Sequence, residues 1–86
     1  MKILCTMITT NTQVHTGKCY FLGLVGENKT TQAYDVEVST SAATANTVGY
    51  RHANDKGYVL PKPGVECGNG LYVTVDGNIA VYWSLG

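Results

Sequence analysis

The feature that most constrains this chain is the alternation of large apolar residues near its end. Leu71, Val73 and Val75 are interleaved with Tyr72 and Thr74. Beyond Asp76, Gly77 and Asn78, the residues Ile79, Val81 and Trp83 are interleaved with Ala80 and Tyr82. A period of two sends successive side chains to opposite faces of a strand. A three-residue connection would set Val75 opposite Ile79, Val73 opposite Val81 and Leu71 opposite Trp83, gathering six large hydrophobes on one face. A two-residue Asp-Gly turn would split that set. The expectation is a C-terminal β-hairpin from Leu71 to Trp83, with Asn78 as its left-handed residue and Tyr72 and Tyr82 on the face away from the core.

The rest of the chain carries the same signature. Apolar residues nowhere recur at helical spacing over a dozen positions, whereas valine, tyrosine and threonine are abundant and turn residues recur regularly. Lys2 to Thr9 reads as a strand, followed by a polar loop from Thr10 to Gly17. Cys19 to Val25 (CYFLGLV) is apolar on both faces, as a strand covered on both sides would be. Gly23 within it predicts a bulge or a close backbone approach. Ala33 to Ser39 alternates, with Tyr34, Val36 and Val38 on one face and Asp35 and Glu37 on the other. Thr40 to Thr47 reads as a loop or strand edge, Val48 to His52 as a short strand, and Asn54 to Gly57 as the turn into Tyr58, Val59 and Leu60. Pro61 and Pro63 each remove a ladder donor, so Lys62 to Gly70 should cross between sheets or follow an edge. The fold expected is a single all-β domain over residues 1–86. It is a small antiparallel β-sandwich, jelly-roll-like, of six or seven short strands.

A chain of 86 residues has a thin core, and domains of this size usually rely on a disulfide, a metal or partner subunits. Cys5, Cys19 and Cys67 are an odd number without a CxxC spacing. Cys5 and Cys19, in apolar runs, read as buried small hydrophobes, although one pair could bridge in space. Arg51 adjoins His52 and is a poor neighbour for a cation, so no metal site and no cofactor are expected. That leaves partner subunits. Charged residues make up 14% of the chain and cancel to zero, below the roughly 25% of ordinary domains, and a weakly charged surface favours association. No basic stripe suits nucleic acid. No stretch reads as a signal peptide or membrane span, which leaves the sequon at Asn28 without meaning.

Catalytic signatures are missing as well: there is no GxSxG, HExxH or Walker sequence. Asp35, Glu37, Glu66 and Asp76 could form a carboxylate pair across strands, but Asp35 and Glu37 read as a solvated face and Asp76 as a turn residue. Gly68, Asn69 and Gly70 precede a strand and so lack the helix N-terminus of a phosphate loop. The expectation is a protein that is not an enzyme. Its candidate interface residues are Cys19, Tyr20, Phe21, Leu22, Leu24, Tyr72 and Tyr82.

The run from Pro63 to Gly86 (PGVECGNGLYVTVDGNIAVYWSLG), with Gly17 to Gly23 and Gln32 to Val36 before it, resembles small all-β virion proteins of tailed bacteriophages. The likeness covers residues 17–86; the extra cysteines and the stretch from His52 to Lys56 depart from that pattern. It implies a capsid decoration or cement protein, or a small head-tail structural protein, that bridges neighbouring subunits. It further implies the major capsid protein or other virion proteins as partners, a homo-oligomer with a trimer favoured, and a place in the virion after assembly in the bacterial cytoplasm. The alternative is a tail-associated or adhesin-like sandwich that binds a host glycan through exposed tyrosines. A third, inhibitor-like role would rest on the Pro61 to Gly70 loop.

Overall fold

In the computed structural model, nine strands among the described residues form two antiparallel sheets. They are β1 (Ile3–Ile8), β2 (Thr12–Thr16), β3 (Cys19–Gly26), β4 (Thr31–Asp35), β5 (Asn46–Arg51), β6 (Gly57–Val59), β7 (Val65–Cys67), β8 (Gly70–Val75) and β9 (Ile79–Ser84). The structure describes residues 2–26, 30–37, 46–51, 57–75 and 77–86. The expectations for Val38, Thr40 to Ala45, His52, Asn54 to Lys56, Asp76 and the Asn28 sequon lie outside the described residues.

Five strands make the first sheet, in the order β1-β9-β3-β6, with β7 also paired to β3; the second has the order β2-β8-β4-β5. The pairings nest: β4 with β5, β3 with β6, β2 with β8 and β1 with β9. Between the sheets lies one apolar layer, containing Phe21, Leu24, Leu71, Val73, Ile79, Val81 and Trp83. The chain measures 29 × 29 × 17 Å, the proportions of a two-layer slab whose sheets stack about 10 Å apart. It exposes 4606 Å2, near the roughly 4900 Å2 of a compact monomer of this mass.

Two strands exceed the six or seven expected. One is β2, in the segment expected to be a loop. Its residues are mostly polar because it is an edge, yet Val14 packs on the core and the His15 ring lies 5.1 Å from that of Trp83. The other is β7, three residues long. Together β6 and β7 form one interrupted edge along β3, opposite Gly23 to Val25 and Cys19 to Phe21 respectively. Pro61 and Pro63 fall in the interruption, where no ladder donor is required. The expected crossing follows at once, because β7 belongs to the first sheet and β8 to the second.

The C-terminal hairpin is not formed. β8 pairs with β2 and β4, β9 with β1 and β3, so the connection at 76–78 carries the chain from one sheet to the other. Leu71 and Val73 face Ile79, Val81 and Trp83 across the sandwich instead of lying beside them. Alternation satisfies both arrangements, because either places those side chains on the core side. No described non-glycine residue has positive φ, so Asn78 is not left-handed; Gly77 takes φ 134° instead, a conformation open to glycine.

Gly23 fulfils its prediction. The β3–β9 register slips between Phe21 and Gly23, and a Cβ on Gly23 would lie 2.1 Å from the carbonyl oxygen of Tyr58. Tyr34 departs from its expected face. Thr31 and Ala33 are the buried residues of β4, which turns Gln32 and Tyr34 outward. Val36 is buried just past the end of the strand, where the alternation of β4 no longer applies.

Candidate assembly surface

Each sheet has an outer face, and their chemistries differ. Alternation in β1 buries Ile8 and half-buries Leu4 and Thr6, leaving Ile3, Cys5 and Met7 pointing out. Cys5 is therefore exposed, contrary to its reading as a buried hydrophobe, because it shares the phase of Ile3 and Met7. Opposite these three in β9 stand Ser84, Tyr82 and Ala80. The face continues through Gly23 and Val25 of β3 to Val59 of β6. Met7 is 66% exposed and Val59 54%. Among the described residues a charged pair stands at one corner, where Lys18 Nζ is 4.0 Å from Glu66 and 5.8 Å from the ring centre of Tyr20. Both side chains of that ion pair are well exposed, so it adds little stability.

On the second sheet Tyr72 and Thr74 point out from β8 and Gln32 and Tyr34 from β4, with Thr47 and Tyr50 beside them in β5. The rings of Tyr34 and Tyr72 are 6.3 Å apart and tilted by 37°. Gln32 donates a hydrogen bond to Thr47 Oγ1 at 2.8 Å. This face is aromatic and polar, whereas the other sets the aliphatic side chains of Ile3, Met7, Val25 and Val59 beside half-buried Tyr20 and Tyr82.

The edges differ too. β2 is bulged between Gln13 and His15, the β4–β5 ladder shifts register, and β6 and β7 are broken by the two prolines. Only β1, among the described edge strands, runs unbroken, in register with β9 from Ile3 to Ile8. It contains no charged residue and no proline, and among the described residues nothing pairs with its far side. Free edges are ordinarily blunted by bulges, prolines or charges. This one is not.

Of the residues singled out from sequence, Cys19, Phe21, Leu22 and Leu24 have no accessible surface in the folded chain. Cys19, Phe21 and Leu24 fill the core. Leu22 lies at the bulge, its carbonyl accepting from Leu60 N, with Gly64 packed close by. The two-sided burial of β3 is thus supplied largely by its own chain. Tyr20 and Tyr82 are half-buried on the outer face of the first sheet and Tyr72 on that of the second. Sequence reasoning missed Ile3, Met7 and Val59, although the alternation of β1 carried the signal for the first two.

Gln13 was also missed. Its side-chain amide donates to the carbonyls of His15, Val36 and Leu71 at 2.9, 2.9 and 3.2 Å, tying the bulge of β2 to two neighbours. Tyr58 packs edge-on against Phe21; burial pushes its hydroxyl above the ordinary tyrosine range, partly offset by the Tyr50 N–H that donates to it. Cys19 and Cys67 are opposed on β3 and β7 and share a hydrogen bond. That bond holds the Cys19 thiol below its ordinary range and, with burial, pushes the Cys67 thiol up. Among the described residues no three His, Cys, Asp or Glu side chains gather as a metal-holding group, and no helix is long and apolar enough to cross a membrane.

What fold and surface define is a two-sheet antiparallel β-sandwich with one aliphatic outer face and one unprotected edge. No family model, curated protein or solved structure matches the chain.

Proposed function

We propose that this chain is a structural virion protein of a tailed bacteriophage, a capsid decoration or cement protein that stabilises the head by bridging neighbouring subunits without chemistry of its own. The observation that carries the reading is the aliphatic outer face of the first sheet with the straight edge β1 beside it. A 29 × 29 Å slab presents a face on the order of 800 Å2, the area each partner contributes to a standard protein interface. Its occupant is a neighbouring head-shell subunit with a flat, uncharged surface, and a strand of that subunit pairs with β1. Copies of the chain assemble around a symmetry axis, as a trimer.

The fold reading agrees with this role. With β7 set aside, the nested pairings of the two sheets support reading the sandwich as an eight-stranded jelly roll. Jelly rolls are used by viral capsid domains and also by lectins, so the surfaces must decide between the two.

The test uses capsids assembled without the chain. Adding the purified protein should raise their melting temperature, and Met7→Lys, which puts a charge on the exposed row, should abolish the rise. A chain that is monomeric at micromolar concentration and leaves capsid melting unchanged overturns the reading. The second reading, a tail-associated glycan-binding module, is favoured by the Tyr34 and Tyr72 rings with Gln32 and Thr74 beside them. It requires saccharide binding that Tyr72→Ala removes.

A further inference from the structure

Cys19 and Cys67 bring two thiols together at one end of the first sheet. They are directly opposed in the β3–β7 ladder and fully buried, with Cys67 Sγ 3.7 Å from the Val65 carbonyl oxygen. Opposed residues of an antiparallel pair have Cα atoms about 4.5 or 5.5 Å apart, both inside the range a disulfide spans. Their side chains leave the sheet on the same side, and Cβ atoms about 4.5 to 5.5 Å apart need only roughly 1 Å of closure to accept the bridge. Cys5 is out of reach: it lies on the outer face, in edge strand β1, with β9 between it and β3.

We propose that Cys19 and Cys67 are a covalent modification site, closing as a cross-strand disulfide that fastens β7 to β3. β7 is the element with most to gain. It is three residues long, and its surroundings are held by the exposed Lys18–Glu66 pair and by two turn hydrogen bonds, Gly17 N to Asn69 O at 3.0 Å and Asn69 N to Asp35 Oδ1 at 2.9 Å. The co-reactant is a small disulfide such as oxidised glutathione. The Cys19 thiolate attacks one of its sulfurs, forming a mixed disulfide and releasing one glutathione thiol. The Cys67 thiolate then attacks the Cys19 sulfur and expels the second glutathione. Two protein thiols are oxidised and one glutathione disulfide is reduced. Because both sulfurs are buried, the oxidant reaches them before folding is complete or when the Gly17 and Gly68 turns open, so the bridge forms faster during refolding than in the folded chain. The site stays reduced in a bacterial cytoplasm and closes outside it. This inference is independent of the assembly role.

The experiment refolds the full chain in a glutathione redox buffer, blocks free thiols with iodoacetamide and maps the peptides. The expected product is two hydrogens lighter than the reduced chain before alkylation, with Cys19 joined to Cys67 and Cys5 alkylated. Its melting temperature should exceed that of the same protein in dithiothreitol by on the order of 10 °C. Cys5→Ser should form the bridge equally well, and Cys67→Ser should form no intrachain bridge. Alkylation of all three cysteines, a bridge through Cys5, or a bridged form that melts below the reduced one would each overturn the proposal.

Discussion

The two sheets bury the same kind of residue between them and present opposite kinds of surface outside. From the first, Ile3, Cys5, Met7 and Val59 project beside an edge strand without bulge, charge or proline. From the second, Tyr34, Tyr72, Gln32, Thr74 and Thr47 project, and both edges lie in ladders that shift register. Core burial is therefore not what distinguishes them. The difference lies in how each meets its surroundings: one surface is aromatic and polar with shifted edge ladders, the other carries exposed aliphatic side chains beside an unblunted edge.

Several substitutions test that division. The shared core should be indifferent to it: Leu24→Ala in the first sheet and Leu71→Ala in the second, both fully buried, should each cost about 2 to 5 kcal/mol in chemical denaturation. A large disparity would mean that one sheet contributes little to the core. Backbone tolerance should separate them. Gly23→Ala drives a Cβ into the Tyr58 carbonyl, whereas Gly49→Ala meets the movable rings of Phe21 and Tyr58. Both overpack, at about 1 to 3 kcal/mol, with Gly23→Ala at or above the upper end. Equal losses would remove the claim that β6 is held by close backbone approach. Next in size is Gln13→Leu, which removes the amide that three carbonyls share and should cost about 1 to 3 kcal/mol.

The smallest effects on folding should be the most informative about function. Met7→Lys and Tyr72→Ala, on opposite faces, should each change stability by well under the core substitutions. Only Met7→Lys should abolish association, as read by analytical ultracentrifugation; loss of association by Tyr72→Ala alone would reverse the roles of the two faces. Alkaline pH gives a separate check. The Tyr58 hydroxyl has a raised pKa in the folded chain, so its contribution is fully present below the ordinary tyrosine value near 10 and is lost as pH rises through the folded value. Thermal melts should weaken above about pH 10, and less steeply for Tyr58→Phe.

Much of the architecture was legible because side-chain direction is a local property. The all-β class, the strands at Lys2 to Thr9, Cys19 to Val25, Leu71 to Val75 and Ile79 to Trp83, the crossing after the prolines and the close approach at Gly23 all follow from period, turn residues and missing donors. β2 was not legible, since an edge strand can be polar along most of its length. Tyr34 was misplaced because Val36, which lies past the end of β4, does not share the phase that Thr31 and Ala33 set for the strand. Cys5 was misread by averaging over an apolar run, although its own alternation with Leu4 and Thr6 pointed outward.

The sequence by itself determined which side chains of β8 and β9 turn toward the core, because alternation fixes the face a residue occupies and nothing more. Only the tertiary structure decided that these strands sit in opposite sheets, since partner choice depends on which distant strands, β1 and β3 for one and β2 and β4 for the other, offer their backbone groups. The pairing of Cys19 with Cys67 was decided there too, by a ladder between segments far apart along the chain.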